Sequence, residues 1–291
     1  MPAPSHCEDC YVLNIQCPDT IGIVAAVSTF LAKHQAFITE SAHYGDPDTG
    51  QFFMRTVFRS ATTDPLPKSD IATGFKSLAD QFKMDWDLFG SQEKIKTVIA
   101  VSKFGHCLND LLHRVQIGVI PVEVTAVVSN HETFRNLVEW HEIPFHHLPV
   151  TADTKTAQEE KLLDVMSSTK AELLVLARYM QILSQNTCAK LPGRIINIHH
   201  SFLPGFKGAR PYHQAHARGV KIIGATAHYV TPDLDEGPII EQAVERVDHT
   251  LSPEDLVLLG QDIENSVLSR AVRWHAERRV LLNGTKTVVF R

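Results

Sequence analysis

No apolar run in this 291-residue chain approaches the ~18 residues that a membrane-spanning helix needs, and Met1 to Asp9 hold neither a basic nor an apolar stretch. The expectation is a cytoplasmic protein with no membrane partner. Cysteine is scarce: Cys7, Cys10, Cys17, Cys107 and Cys188 form no even, dense framework, so reduced thiols are expected. Cys7-x-x-Cys10 has the spacing of half a zinc site, but no second Cys/His pair follows at finger distance, and no metal is expected. Nor is charge concentrated. The formal net charge is −5 with both signs interspersed, which lacks the basic face that a nucleic acid would require. The strand-to-helix turn at Ser102–Leu108 carries neither G-x-G-x-x-G nor G-x-x-x-x-G-K-[ST], which argues against a dinucleotide or a nucleoside triphosphate.

The length suits two domains, and a hydrophobic content of 44% is ample for two cores. The first domain, 1–90, reads β-α-β-β-α-β. A strand (10–17) passes through Pro18-Asp19-Thr20 into a helix (21–31), with Asp19 or Thr20 as a candidate N-cap. Two strands (36–44 and 51–59) flank the turn Asp46-Pro47-Asp48-Thr49-Gly50 as a hairpin. An amphipathic helix (69–83) presents Ile71, Phe75, Leu78 and Phe82, and a strand (84–88) closes the unit. Residues 89–94 read as a polar joint. The second domain, 91–291, alternates strands near 95–101, 123–128, 145–148, 172–177, 194–198, 221–230 and 238–247 with helices. That pattern builds a doubly wound, mostly parallel Rossmann-like sheet. Ser252-Pro253-Glu254-Asp255 opens a long helix to about Arg278, and Asn283-Gly284 turns a terminal hairpin.

The stretch Ile195-Ile196-Asn197-Ile198-His199-His200-Ser201-Phe202-Leu203-Pro204-Gly205 is a buried strand that breaks into a loop. Side chains alternate along a strand, so Asn197 and His199 share a face, at the carboxyl end where open parallel sheets bind ligands. An amide can donate to a developing oxyanion, and an imidazole with an ordinary pKa of ~6.5 can move protons near neutrality. The other histidines invite less: His200, His213, His216 and His228 read as structural or orienting. On the residues alone, Asp235 is a turn carboxylate beside Gly237, and Met180 to Leu183 are a strand end turning into a helix.

Asn197-Ile198-His199 followed by Leu234-Asp235-Glu236-Gly237-Pro238 resembles the Asn-x-His…Asp constellation of the folate formyltransferase-like family, the enzymes that use 10-formyltetrahydrofolate. With Gly208-Ala209-Arg210-Pro211-Tyr212-His213, the form is most similar to the family's hydrolytic branch, over nearly the whole chain. The resemblance implies Asn197 as oxyanion donor, His199 as proton donor, and Asp235 as acceptor of the water's proton and holder of His199. It implies hydrolysis of 10-formyltetrahydrofolate, a linear amide, to formate and tetrahydrofolate, with formate supplied to purine synthesis and one-carbon folate pools balanced. It also carries substrate binding to Met180, Gln181, Ile182, Leu183, His228, Val230 and Asp233, with backbone groups after Met180 meeting the pterin's amino-amide edge. The folate is the substrate, and no cofactor is implied.

In the purine-pathway transformylases of that family, the turn after the first strand is rich in Gly, Ser and Asn and cradles a substrate phosphate. Here His106, Cys107 and Leu108 stand there, which disfavours transfer to a ribonucleotide acceptor. Transfer to aminoacyl-tRNA is disfavoured by the lack of a basic domain, and a non-catalytic amino-acid or folate sensor by the presence of Asn197, His199 and Asp235 together. The first domain, with Pro18-Asp19-Thr20-Ile21-Gly22-Ile23-Val24 after its first strand, resembles the ACT domain. That resemblance implies a regulatory unit with an amino-acid effector and a homo-oligomer, a dimer or tetramer.

Overall fold

In the computed structural model, residues 10–201 and 211–291 are described, and they fall into two compact units. The loop expected after Ser201, with Pro204, Gly205 and Gly208, lies outside the described residues, as does Cys7. No described helix is long and apolar enough to cross a membrane.

The first unit contains β1 (Cys10–Pro18), α1 (Ile23–Lys33), β2 (Ala36–Asp46), β3 (Gln51–Ser60), α2 (Lys68–Phe82) and β4 (Asp85–Gly90). Its antiparallel sheet runs β2-β3-β1-β4, the ferredoxin-like order. Period two decides which side of the sheet meets the helices. Leu13, Ile15 and Cys17 of β1 and Phe52, Met54 and Phe58 of β3 pack against Ile23, Val27 and Leu31 of α1 and Ile71, Phe75 and Ala79 of α2. The turn into α1 passes through Gly22 at φ 99°, a backbone state that a side chain would strain.

The opposite side of that sheet settles where the unit ends. Phe53 is fully buried there, against Leu281 and Phe290. Arg55 and Arg279 both donate to Glu40, at 2.7 and 2.8 Å, and Arg55 also donates to the Glu277 carbonyl at 3.1 Å. Residues 277–281 and 288–291 therefore belong to the first unit, which otherwise runs to Glu93. Giving all of 91–291 to the second domain was incorrect: an apolar and cationic sheet face needs a cover, and the chain returns from its C-terminal end to provide one. A second correction concerns the thiols. Cys17, Cys107 and Cys188 are free and buried, whereas Cys10 is disulfide-bonded.

The second unit spans Lys94–Ala276 with Leu282–Thr287. It contains β5 (Ile95–Val101), α3 (His106–Gln116), β6 (Val122–Ser129), α4 (Arg135–Trp140), β7 (Phe145–His147), α5 (Lys155–Ser168), β8 (Leu173–Leu176), α6 (Gln185–Lys190), β9 (Ile195–His199), α7 (Pro211–Arg218), β10 (Ile222–Tyr229), β11 (Ile239–Arg246) and α8 (Pro253–Ala276). The hairpin β12 (Val280–Asn283) and β13 (Lys286–Val289) ends the chain. The seven-stranded sheet is ordered β11-β10-β9-β8-β5-β6-β7, parallel from β9 to β7 and antiparallel at β10 and β11. Its inner strands are buried on both faces, which is why β8 and the Val98–Val101 part of β5 are continuous apolar runs. The carboxyl ends of β5, β8 and β9 lie side by side at one edge.

Candidate active site

Strand register brings the first three groups together. Asn197 on β9 pairs with His228 on the antiparallel β10, so both side chains project on one face, and His199 follows two residues on. Asn197 Nδ2 lies 3.3 Å from His228 Nε2. The other ring nitrogen of His228, Nδ1, is 2.9 Å from the Tyr229 carbonyl. A carbonyl only accepts, so Nδ1 carries a proton and Nε2 is the nitrogen that faces the Asn197 amide.

Asp235 arrives from the loop between β10 and β11. Its backbone is left-handed, at φ 58°, a state that the short side chain of aspartate tolerates. Gly237 holds this loop down: a Cβ there would lie 1.7 Å from the Tyr229 carbonyl oxygen, so only glycine allows the loop to lie flat on β10. The Nδ1–H of His199 donates to Asp235 Oδ1 at 3.3 Å, and His228 Nε2 stands 3.7 Å from the same oxygen. His199, hydrogen-bonded to it, and the nearby His228 ring outweigh burial and hold the Asp235 carboxyl well below the usual carboxylate range. Asp235 is therefore ionised. His199 Nε2, the nitrogen turned away from Asp235, is buried and has no hydrogen-bond partner among the described residues. The arrangement is a charge-oriented imidazole with a free lone pair beside an amide N–H.

The remaining expected residues divide. The side chains of Met180 and Ile182 are exposed past the end of β8, with Gln181 half-buried between them, and Asp233 is exposed. Leu183 turns into the core with Leu176 and Tyr179, which leaves its backbone for any ligand, and Val230 is half-buried with its N–H donating to the Ile195 carbonyl at 2.9 Å. Positive φ at Arg178 and Met180 explains why β8 stops at Leu176.

A second polar cluster adjoins this edge, and reading the sequence did not find it. Glu264, in the middle of α8, has no exposed surface. Its carboxylate accepts from His106 Nε2 and from the Tyr212 hydroxyl, both at 2.7 Å, and Arg178 Nε is 3.4 Å away. Burial pushes the Glu264 carboxyl up, but His106, Arg178 and Tyr212 together bring it below its ordinary value. A signal was present: Glu264 is four residues after Gly260 and three before Val267, helical spacing that puts it on the same buried face of α8. Gly260 itself makes room for the Tyr212 ring, which a Cβ would meet at 2.1 Å.

His106, Cys107 and Glu264 have potential ligand atoms within 4.8 Å of one another. Their chemistry does not suit a cation. Burial pushes the Cys107 thiol well up, away from the thiolate a metal would need, and the Arg178 guanidinium already faces the carboxylate. Cys107 and Leu108, in the first turn of α3, are buried in the core.

Residues 95–272 match the formyl transferase family. The chain is 53% identical to a formyltetrahydrofolate deformylase of Corynebacterium sp. (strain P-1) over 281 residues, covering 97% of this chain and 98% of that one. It is 49% identical to the protein of that name from Bacillus subtilis (strain 168), with coverage of 97% and 94%. The crystal structure of a formyltetrahydrofolate deformylase from Burkholderia mallei superposes with a TM-score of 0.93 at 51% identity, covering 97% of this chain and all of the other.

Proposed function

The chain belongs to the formyl transferase family, and we infer that within it this protein is a hydrolase that converts 10-formyltetrahydrofolate and water to formate and tetrahydrofolate. The observation that carries the mechanism is the orientation of His199: Nδ1 is tied to an ionised Asp235, and Nε2 is left buried and unpartnered. An ionised, strongly stabilised carboxylate is a weak base. His199 is therefore the group that takes the proton of the attacking water through Nε2, a role typically contributing 10²–10⁴-fold, while Asp235 fixes the ring and stabilises the imidazolium. The Asn197 amide has a second N–H beside the one facing His228, and it donates to the oxyanion, a contact worth ~3 kcal/mol when preorganised. As the tetrahedral intermediate collapses, His199 returns the proton to the leaving nitrogen.

Met180, Gln181, Ile182, Leu183, His228, Val230 and Asp233 form the folate subsite in this reading, with no resident cofactor. Formate would feed purine synthesis, and the first unit would respond to an amino acid and assemble the chain as a homo-oligomer. What supports hydrolysis over transfer is the likeness to deformylases along the whole chain, with His106, Cys107 and Leu108 standing at the start of α3 in place of the small donor-rich residues that would cradle an acceptor phosphate. Single-turnover analysis with and without glycinamide ribonucleotide tests this. Stoichiometric free formate is expected in both, and formylated ribonucleotide as the main product would overturn it.

A further inference from the structure

Hydrolysis of a formamide creates a charge that the substrate did not have. The water oxygen bonds to the formyl carbon, the C–N bond breaks, one water proton ends on the folate nitrogen, and the other leaves to solvent. The carbon departs as a carboxylate. A site that catalyses this must release an anion next to the ionised Asp235, which repels it.

Arg178 stands at the end of the strand next to the one that carries Asn197 and His199. Strands β8 and β9 are parallel neighbours with Leu176 paired to Asn197, and two residues past each of these stand Arg178 and His199. Arg178 is 9% exposed. Its Nε faces Glu264 at 3.4 Å as an ion pair, and among the described residues neither Nε nor Nη1 has a hydrogen-bond partner. Among the described residues, His199 Nε2 and both Nε and Nη1 of Arg178 are buried without a hydrogen-bond partner, at the ends of adjacent strands. The guanidinium lies over the exposed Phe104 ring at 5.3 Å, so one of its neighbours is already on the open side of the edge. His200 follows His199, and burial, then the charges of Arg178 and His199, push its pKa down to about 4, which leaves a neutral ring beside the cation. Nη1 is a donor with no partner among the described residues, and a planar guanidinium matches a planar carboxylate.

We propose that Arg178 receives the product, binding formate through Nη1 as it leaves His199. This assignment rests on the hydrolytic reading above. Sodium formate titrated calorimetrically into the protein without folate tests it, with sodium chloride at equal ionic strength as control, and Arg178→Lys and Arg178→Gln compared with wild type. Formate affinity is expected to fall at least about tenfold in Arg178→Gln and less in Arg178→Lys, while tetrahydrofolate affinity changes less than about twofold, a split that general loosening of the fold would not produce. Undiminished formate binding in Arg178→Gln, equal binding of chloride, or no formate binding by wild type would overturn the proposal. Should the variants fail to fold, wild-type protein still decides: the formate proton should show an intermolecular NOE to the Phe104 ring, assigned through Phe104→Leu, and its absence would overturn the assignment. These readouts need no turnover, so a protein that releases formate but binds it independently of Arg178 sinks this inference alone. Failure to release formate sinks the hydrolytic reading instead.

Discussion

His199 Nδ1 lies 3.3 Å from Asp235 Oδ1, and this contact fixes which ring nitrogen is free to act. Replacing Asp235 with asparagine keeps the size but removes the charge that stabilises the imidazolium. Asp235→Asn should fold normally and lower the rate of formate release by roughly 10²–10⁴-fold. Near-normal turnover in a well-folded variant would show that the orientation of His199 does not depend on that charge.

The same carboxylate has a signature in stability. Its pKa is lower folded than unfolded, so its contribution is fully present above the unfolded value of ~3.9 and is lost as pH falls from there toward the folded value. The melting-temperature difference between wild type and Asp235→Asn should be constant from neutrality to about pH 5 and shrink below about pH 4. A difference that keeps growing on acidification would contradict the low pKa.

His200 acts in a separate window. Its folded pKa of about 4 lies below the ordinary histidine value of 6.5, so between these pH values the unfolded chain binds more protons and wild-type stability falls with falling pH. A His200→Gln variant should lose part of this slope between pH 6.5 and 4 in thermal denaturation. An unchanged slope would place the effect on other groups.

Gly237→Ala should be disproportionately harmful for one added methyl group. The Cβ would meet the Tyr229 carbonyl at 1.7 Å, so the loop must lift and take Asp235 from His199. A loss of at least about tenfold in kcat and a destabilisation of about 1–3 kcal/mol are expected, measured by formate release and urea denaturation.

Glu264→Gln tests the buried cluster. It leaves Arg178 without a counter-charge in a site with no exposed carboxylate surface, and breaking a buried pair in this way costs about 3–5 kcal/mol. A urea midpoint within error of wild type would mean that Arg178 reaches solvent more readily than its burial suggests.

What was legible in the sequence followed from local rules. Alternating apolar residues with Pro, Asp and Gly at turns gave the two element orders, and the i, i+2 spacing of Asn197 and His199 placed both on one face of β9. Asp235 was harder to see, because nothing within its loop distinguishes a turn carboxylate from one that β10 and Gly237 carry to His199. Glu264 and Arg178 escaped because each is informative only through the other: a single Glu on the apolar face of α8 and a single Arg after β8 gain meaning when the sheet brings them within 3.4 Å. The C-terminal cover over Phe53 was invisible for a related reason. Those partners are more than 200 residues apart, and no local pattern marks which surface a terminal hairpin will protect.

That cover imposes an order on synthesis. The first unit is translated early, yet Leu281 and Phe290 leave the ribosome about 10–40 s after Glu93 at ~5–20 residues per second. Until then the nascent chain presents Phe53 and Arg55 without their partners, so the part of the protein made first is the part completed last.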